Sequence, residues 1–390
     1  MKVILIGNYP LDRLESMERF AQMLHAGLTE AGIESEIWRP RVFFASRLKS
    51  TGSGLGKWIG YLDKWLIFPV LLRLRRMNGR LKKTEVRFHV CDHSNAPYLA
   101  HLPAGQTSIT CHDVIAIRGA LGHQDAYATP TWGTGMIYQK WIFHHLGRAR
   151  RIAAVSRFTY DQLDELARRE AIERGEWQVI HNAFNAEFGP VADPERGELL
   201  KRVGIPPEAS FLLHVGSRHA RKNRKLLLDM AASLGSRWAG KICFAGQPVE
   251  ESLMAHARSL GLEDRVIQVI KPDHRTLQAL YTSCEAFVFP SFSEGFGWPV
   301  IEAQACGTPV IASTIAPLME VSGGSALHAD PADPTTFADA FLSLSDEKYR
   351  EEVIRSGLAN CERFRLNRMI RSYLKLFRIE VPELQYERPA

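Results

Sequence analysis

The 390-residue sequence has no D-x-D triplet, no C-x-x-C pair and no apolar run of bilayer length. The first absence removes the usual acidic signature for a metal ion bridged to a diphosphate. The second bears on the six cysteines, at 91, 111, 243, 284, 306 and 361. They are scattered, most of them in apolar runs. Buried reduced thiols follow, not a disulfide framework or a zinc site. The longest apolar stretch, Trp65 to Leu72, is too short to span and holds Pro69. Met1 to Gly7 is apolar but brief, and reads as a first strand, not as a signal peptide. A cytoplasmic protein is expected. Acidic residues are also scarce in one place. Residues 41–83 hold eleven Lys or Arg and a single acid, Asp63.

A chain of this length predicts two domains of ordinary size. The stretch from Ala286 to Ala312 organises the second of them. Ala286-Phe287-Val288-Phe289 reads as a buried strand and Ser291 to Trp298 as a glycine-rich loop. Pro299 is placed as the first helical residue, where no N–H is needed. The helix ends at Gly307, and Pro309 to Ala312 is the next strand. Such a unit builds a right-handed parallel sheet. Gly295 and Gly297 let backbone approach a ligand closely. Glu294 stands at the carboxyl end of the strand, where open α/β sheets bind ligands, and Glu302 lies one turn into the helix. Two carboxylates so placed suit hydroxyl groups of a sugar or ribose. Acids favouring a helix N-terminus are the plainer alternative.

Pro290-Ser291, Glu294-Gly295-Phe296-Gly297, Pro299, Glu302-Ala303 and Cys306 to Val310 together resemble the signature of family 4 glycosyltransferases, with its E-x7-E pattern. The resemblance is densest over residues 85–375 and weakest before them. It implies the GT-B architecture: two Rossmann-like doubly wound α/β domains facing a central cleft. It further implies a retaining enzyme, and the missing D-x-D points to one that is metal-independent. A nucleotide-diphosphate sugar is then a substrate, with no cofactor.

Taken in order, Lys2 to Gly7 is a strand, 15–30 a helix and Glu34 to Trp38 a second strand. The family usually has Gly-Gly in the first loop. Here Ser16-Met17 stands at that place. Residues 42–83 read as one or two basic helices with Trp58, Tyr61, Trp65 and Phe68 interleaved. An anionic membrane surface is the expected partner of segment 41–83; a solvated helix packed on its own domain is the alternative. No nucleic-acid module is visible, so nucleic acid is not an expected partner.

Strands at 87–90 and 107–110 end in Cys91-Asp92-His93 and Cys111-His112-Asp113, which places titratable groups on one crevice. The resemblance implies a catalytic-site role for His112, and His93 and Asp113 are candidate acceptor contacts. Gln178 to Asn182 is predicted as the last strand before a turn-rich boundary near 186–200.

The second half restarts with Phe211 to Gly216, followed by the basic loop Ser217 to Asn223. Cations at a helix N-terminus after a strand suit a diphosphate. The family's diphosphate-binding pair maps onto Arg218 and Lys222, with Arg221 able to replace Arg218. Gly216, Ser291, Gly295, Phe296, Gly297 and Glu302 complete the expected donor site. Backbone near Ile270 and Lys271 is expected at the nucleotide base. Glu294 is expected on donor-sugar hydroxyls and Glu302 on the ribose.

The expected layout is an acceptor-binding domain over 1–185, a nucleotide-sugar domain over 186–365, and a helix with tail over 366–390 returning to the first domain. Transfer of mannose from GDP-mannose is favoured, with glucose or N-acetylglucosamine from UDP as other donors. The acceptor would be a saccharide or a polyprenyl-linked saccharide. A GT-B nucleotide-sugar epimerase and a non-catalytic membrane-associated partner are the competing readings.

Overall fold

The computed structural model describes residues 1–51, 54–77, 85–123 and 133–380. The chain divides into two compact units. Unit 1 holds Met1–Asn185 and the segment from Leu366 onward; unit 2 is Ala186–Arg365.

Unit 1 is a six-stranded parallel sheet: β1 (Lys2–Ile6), β2 (Glu34–Trp38), β3 (Val86–Val90), β4 (Thr107–Cys111), β5 (Arg151–Ala154) and β6 (Glu176–Val179). Their order is β2-β1-β3-β4-β5-β6. The inner strands β4 and β5 are buried throughout, whereas the edge strand β2, with the sequence ESEIW, alternates between exposed and more buried positions. Val3 to Ile6 are fully buried. The last strand lies earlier than the predicted 178–182. Trp177 Nε1 donates to the Ala149 carbonyl at 3.1 Å, and a Cβ at Gly175 would run into the Arg150 carbonyl. These contacts pin the pairing two residues upstream of the apolar run.

The helix Leu366–Phe377 belongs to unit 1 and buries Met369, Ile370, Tyr373, Leu374, Leu376 and Phe377. It crosses the helix Glu15–Glu30 at Gly27, where a Cβ would stand 2.5 Å from Ile370 Cδ1. Gly27→Leu is therefore expected to cost about 1–3 kcal/mol by overpacking. A fall of several degrees in the melting temperature of unit 1 checks this, and an unchanged melt would refute it.

Unit 2 repeats the plan with β7 (Phe211–Gly216), β8 (Lys241–Gly246), β9 (Val266–Ile270), β10 (Ala286–Phe289), β11 (Val310–Ser313) and β12 (Leu327–Ala329). The order is β12-β11-β10-β7-β8-β9. Connections reverse direction between β7 and β10 here, and between β1 and β3 in unit 1. These are the topological switch points at which such sheets open a crevice.

One buried histidine lies in each sheet. His89 sits between Ser108 Oγ and Thr110 Oγ1, 2.9 Å from each. His214 bonds the Val288 carbonyl through Nδ1 at 3.1 Å. Burial pushes both down to about 3 from the usual 6.5. Both are neutral in the fold, whereas the unfolded chain takes up protons below pH 6.5. Stability therefore falls as pH drops from 7 to 5, by roughly 1.4 kcal/mol per pH unit for each group once below 6.5. Thermal melts across that range should show the loss, and His89→Gln should remove the share of unit 1, leaving that of His214. Identical slopes in the two proteins would count against the account.

Candidate active site

In unit 2 the switch point brings two loops together. The loop after β7 leads into the short turn Ala220–Lys222, and the loop after β10 carries Ser291 to Gly297. Phe292 N donates to the Arg221 carbonyl at 2.8 Å, and Asn223 Nδ2 to the Pro290 carbonyl at 3.1 Å. These bonds tie the loops edge to edge. Asn223 holds a left-handed φ of 50°, a conformation asparagine tolerates, and it turns the chain into the helix Lys225–Leu234.

The charged groups meet between these loops. Lys222 Nζ lies 2.6 Å from Glu294 Oε1, and Arg221 Nη1 lies 2.9 Å from Glu294 Oε2. Arg221 also donates to the Ser293 carbonyl at 2.7 Å. Lys222 Nζ stands 4.7 Å over the Phe289 ring. Lys222 and Glu294 are both buried. Burial alone would raise the Glu294 carboxyl, but Lys222 and Arg221 outweigh it and hold it at about 2. Burial lowers Lys222, against the opposing pull of Glu294. Two cations thus share one carboxylate in a low-dielectric crevice.

The loop then enters the helix Trp298–Ala305. Its first residue is Trp298, so Pro299 is second, one place later than predicted. Gly297 caps it at φ 101°, and a Cβ there would stand 2.5 Å from Leu318 Cδ2. Glycine is required on both counts. Glu302, buried one turn in, accepts from Tyr281 OH at 3.0 Å. Tyr281 comes from the helix His274–Ser283. Burial, followed by Glu302, pushes the Tyr281 phenol well up, so it stays a donor.

The other candidates of unit 2 are distributed around this centre. Gly216 ends β7, where a Cβ would stand 3.2 Å from His214 Nε2 and 3.7 Å from Lys222 Cδ. Ser291 is buried at the start of the loop. Gly295 is half-buried within it. Phe296 is buried against Trp298 and Phe364, so it serves packing. Arg218 is exposed, and its backbone N–H donates to Gln247 Oε1 at 2.9 Å. Of the two arginines left open by the sequence, Arg221 is the one on Glu294. Ile270 and Lys271 are exposed at the end of edge strand β9, with Lys271 at φ 46° and its N–H on the Gly246 carbonyl at 2.9 Å.

Unit 1 has its own cluster at the β1/β3 switch point. Asn8 Nδ2 donates to Asp92 Oδ2 at 2.6 Å. Asp92 also accepts from Ser94 N and Oγ, and lies 3.3 Å from His93 Nδ1. Burial would raise Asp92, but His93 and His112 keep it low. His112 Nε2 meets the Cys91 carbonyl at 2.9 Å, so Nε2 carries the proton. Burial lowers the His112 pKa and favours the neutral ring, which leaves Nδ1 as an acceptor. Phe20 packs edge-on at 4.7 Å and fixes the ring plane. His112 N donates to His93 Nδ1 at 3.3 Å, which brings the two histidines together. Asp113 Oδ1 accepts from Ile115 N at 3.1 Å, just ahead of the short helix Ile115–Ala120. The sequence reading passed over Asn8, His214, Gln247 and Tyr281, and gave Asp92 no role beyond its place at a strand end. Asn8 had a signal: it is polar and directly follows the first strand.

Two family models match the chain. One, described as glycosyl transferases group 1, covers residues 195–358; the other, glycosyltransferase family 4, covers 17–188. A D-inositol 3-phosphate glycosyltransferase of Acidothermus cellulolyticus is 28% identical over 254 residues, 61% of this chain and 56% of that protein. O-antigen chain mannosyltransferase B of Escherichia coli is 28% identical over 232 residues, 58% of this chain and 60% of that protein. The chain thus spans less than two thirds of the curated relatives it matches. Among solved structures, sucrose-phosphate synthase from Thermosynechococcus elongatus superposes with a TM-score of 0.73 at 18% identity, over 97% of this chain and 98% of that one. HepE from Anabaena, solved in complex with UDP and glucose, gives 0.67 at 16% identity, over 96% and 98%. Two doubly wound units with these strand orders define a GT-B fold. The chain belongs to glycosyltransferase family 4.

Proposed function

We propose that this chain is a retaining glycosyltransferase that moves a hexose from a nucleotide-diphosphate sugar to a saccharide or polyprenyl-linked saccharide. The observation that carries the reading is the buried Lys222–Glu294–Arg221 cluster at the switch point of unit 2. In the reaction the bond from the anomeric carbon to the diphosphate oxygen breaks, and a bond to an acceptor hydroxyl forms on the same face. The hydroxyl proton passes to the departing diphosphate. Negative charge grows on that diphosphate, and Lys222 with Arg221 or Arg218 stabilises it where it develops. Glu294 receives donor-sugar hydroxyls, Glu302 the ribose, and backbone at Ile270 and Lys271 the base. His112 lines the acceptor side with Nδ1 as acceptor, with His93 and Asp113 nearby. Mannosyltransferase relatives favour GDP-mannose; the UDP-bound neighbour keeps UDP-glucose and UDP-N-acetylglucosamine open.

The proposed setting is the cytoplasmic face of a membrane, reached through segment 41–83. Residues 52–53 and 78–83 of that segment lie outside the described residues. Among the described residues no helix is long and apolar enough to cross a membrane. Melting curves with GDP, UDP and ADP, each with and without EDTA, test the reading. One nucleotide should raise the melting temperature equally in both conditions. No response to any of the three would refute it.

A further inference from the structure

The helix Gly54–Leu62 continues through the π-helical turn Asp63–Ile67 into the helix Phe68–Met77. Leu55, Trp58, Leu62, Leu66, Val70, Leu74 and Met77 recur along it every three or four residues, and all are exposed. This spacing draws a single apolar stripe roughly 30 Å long. Leu55 is 82% exposed. An apolar strip of this extent on an otherwise polar surface marks an interaction site.

A cavity of about 640 Å³ opens beside the first half of the stripe, between the Gly54–Leu62 and Thr134–Gly147 helices. Leu55, Trp58, Trp65, Ile137, Tyr138 and Trp141 line it. Its walls are braced: Tyr61 stacks on Tyr138 at 5.4 Å, and Trp65 meets Trp141 edge-on at 4.9 Å. Among the described residues Lys57 is the one charged residue in the lining. The size is that of a small-molecule pocket, and among the described residues its wall is mainly aromatic and aliphatic, with Lys57, Thr134 and the hydroxyls of Tyr61 and Tyr138 as polar groups.

Among the described residues the exposed charge beside the cavity is mainly basic, and a nearby acid, Asp12, is paired with Lys64 at 2.7 Å. Lys49, Lys57, Arg73 and Lys140 are exposed on the neighbouring loop and helices. Asp63, the sole acid in 41–83, is buried and spent on Tyr9 OH and the N–H groups of Phe43, Phe44 and Ala45. An occupant complementary to this surface has an apolar body and an anionic head. A second copy of the chain would oppose cation to cation.

We propose that this cavity holds the hydrocarbon chain of a phosphate-bearing lipid acceptor, its head beside the flanking lysines. The chain enters from a membrane on which the apolar stripe lies. The word acceptor rests on the transferase reading; chain binding does not.

Tryptophan fluorescence of the full chain, titrated with farnesyl phosphate, tests the assignment. Saturable quenching is expected, and inorganic phosphate should not compete. Ile137→Glu, at a position 67% exposed, should weaken binding at least tenfold. Val70→Glu, on the stripe but outside the cavity, should leave it within twofold while reducing sedimentation with phosphatidylglycerol vesicles. Absent quenching, full competition by inorganic phosphate, or equal loss in both variants would overturn the assignment. So would a concentration-dependent dimer broken by Ile137→Glu in a protein that ignores farnesyl phosphate. Nucleotide melts run in parallel separate the two readings. Nucleotide binding without chain binding removes this inference alone, and chain binding without nucleotide binding removes the transferase reading alone.

Discussion

Lys222→Met should abolish the nucleotide-induced rise in melting temperature and lower the transfer rate about a hundredfold or more. Methionine keeps the length and apolar contacts of the lysine stem and removes only the ammonium. Lys222 is buried, 2.6 Å from Glu294, at the switch point. No bulk solvent is available to replace its charge on a diphosphate. The same change leaves Glu294 buried with Arg221 as its remaining partner. Breaking one side of a buried pair typically costs about 3–5 kcal/mol, so unit 2 should also melt earlier. Glu294→Gln in the Lys222→Met background separates the two effects. The added change removes the stranded charge and should recover most of the melting temperature, but not nucleotide binding. If Lys222→Met binds nucleotide as the wild type does, the pair is structural and the proposed function loses its main support. The acid limb of stability offers a further check. Because Glu294 is held at about 2, below the usual 4.5, its contribution is present above pH 4.5 and lost as pH falls towards 2. Glu294→Gln should remove that limb.

The second large effect is expected from truncation after Arg365: unit 1 should fail to fold. The Leu366–Phe377 helix buries six large side chains against the sheet and the Glu15–Glu30 helix. Each is worth roughly 1.5–3 kcal/mol, so together they contribute about 10 kcal/mol or more, comparable with the whole stability of a domain. Polar groups depend on the helix too. Tyr373 OH bonds Thr110 Oγ1 at 2.8 Å, Arg87 Nε donates to the Phe377 carbonyl at 2.8 Å, and the Ala183 N–H meets Met369 Sδ at 3.2 Å. Tyr373 and Phe377 also cover the His89 ring at 5.2 and 5.3 Å. Without the helix, His89, Thr110 and Gly27 would face water. Circular dichroism and limited proteolysis of the truncated protein would decide. Wild-type protection of 1–185 would refute the expectation. The internal fold of unit 2, 186–365, should survive.

Most strands could be read from the sequence because a parallel sheet covered on both faces demands unbroken apolar runs, as in Phe211 to Val215 and Ala286 to Phe289. The reading slipped at 178–182, where a tryptophan anchor and a glycine contact outweighed local composition. Glu294 and Lys222 could be singled out by motif, but not their meeting. They lie 72 residues apart and touch only because β7 and β10 are neighbours across the switch point, a fact of sheet order. The partner of Glu302 was hidden for a similar reason, since Tyr281 comes from the helix before β10. The cavity beside the basic helices was equally out of reach. The aromatic and basic content of 41–83 was visible, but its second wall comes from Ile137, Tyr138 and Trp141 on another helix.

The interrupted make-up of unit 1 also sets a timetable for synthesis. Its first 185 residues leave the ribosome well before Leu366 exists, with the contiguous unit 2 between them. At 5–20 residues per second, the delay for roughly 180 residues is about 10–40 s. Throughout that interval the surface around Gly27 and His89 lacks its cover, while unit 2 can already close. The nascent chain is therefore expected to be most exposed to chaperones and to self-association in its first half. Release of the last helix is the step that ends this exposure.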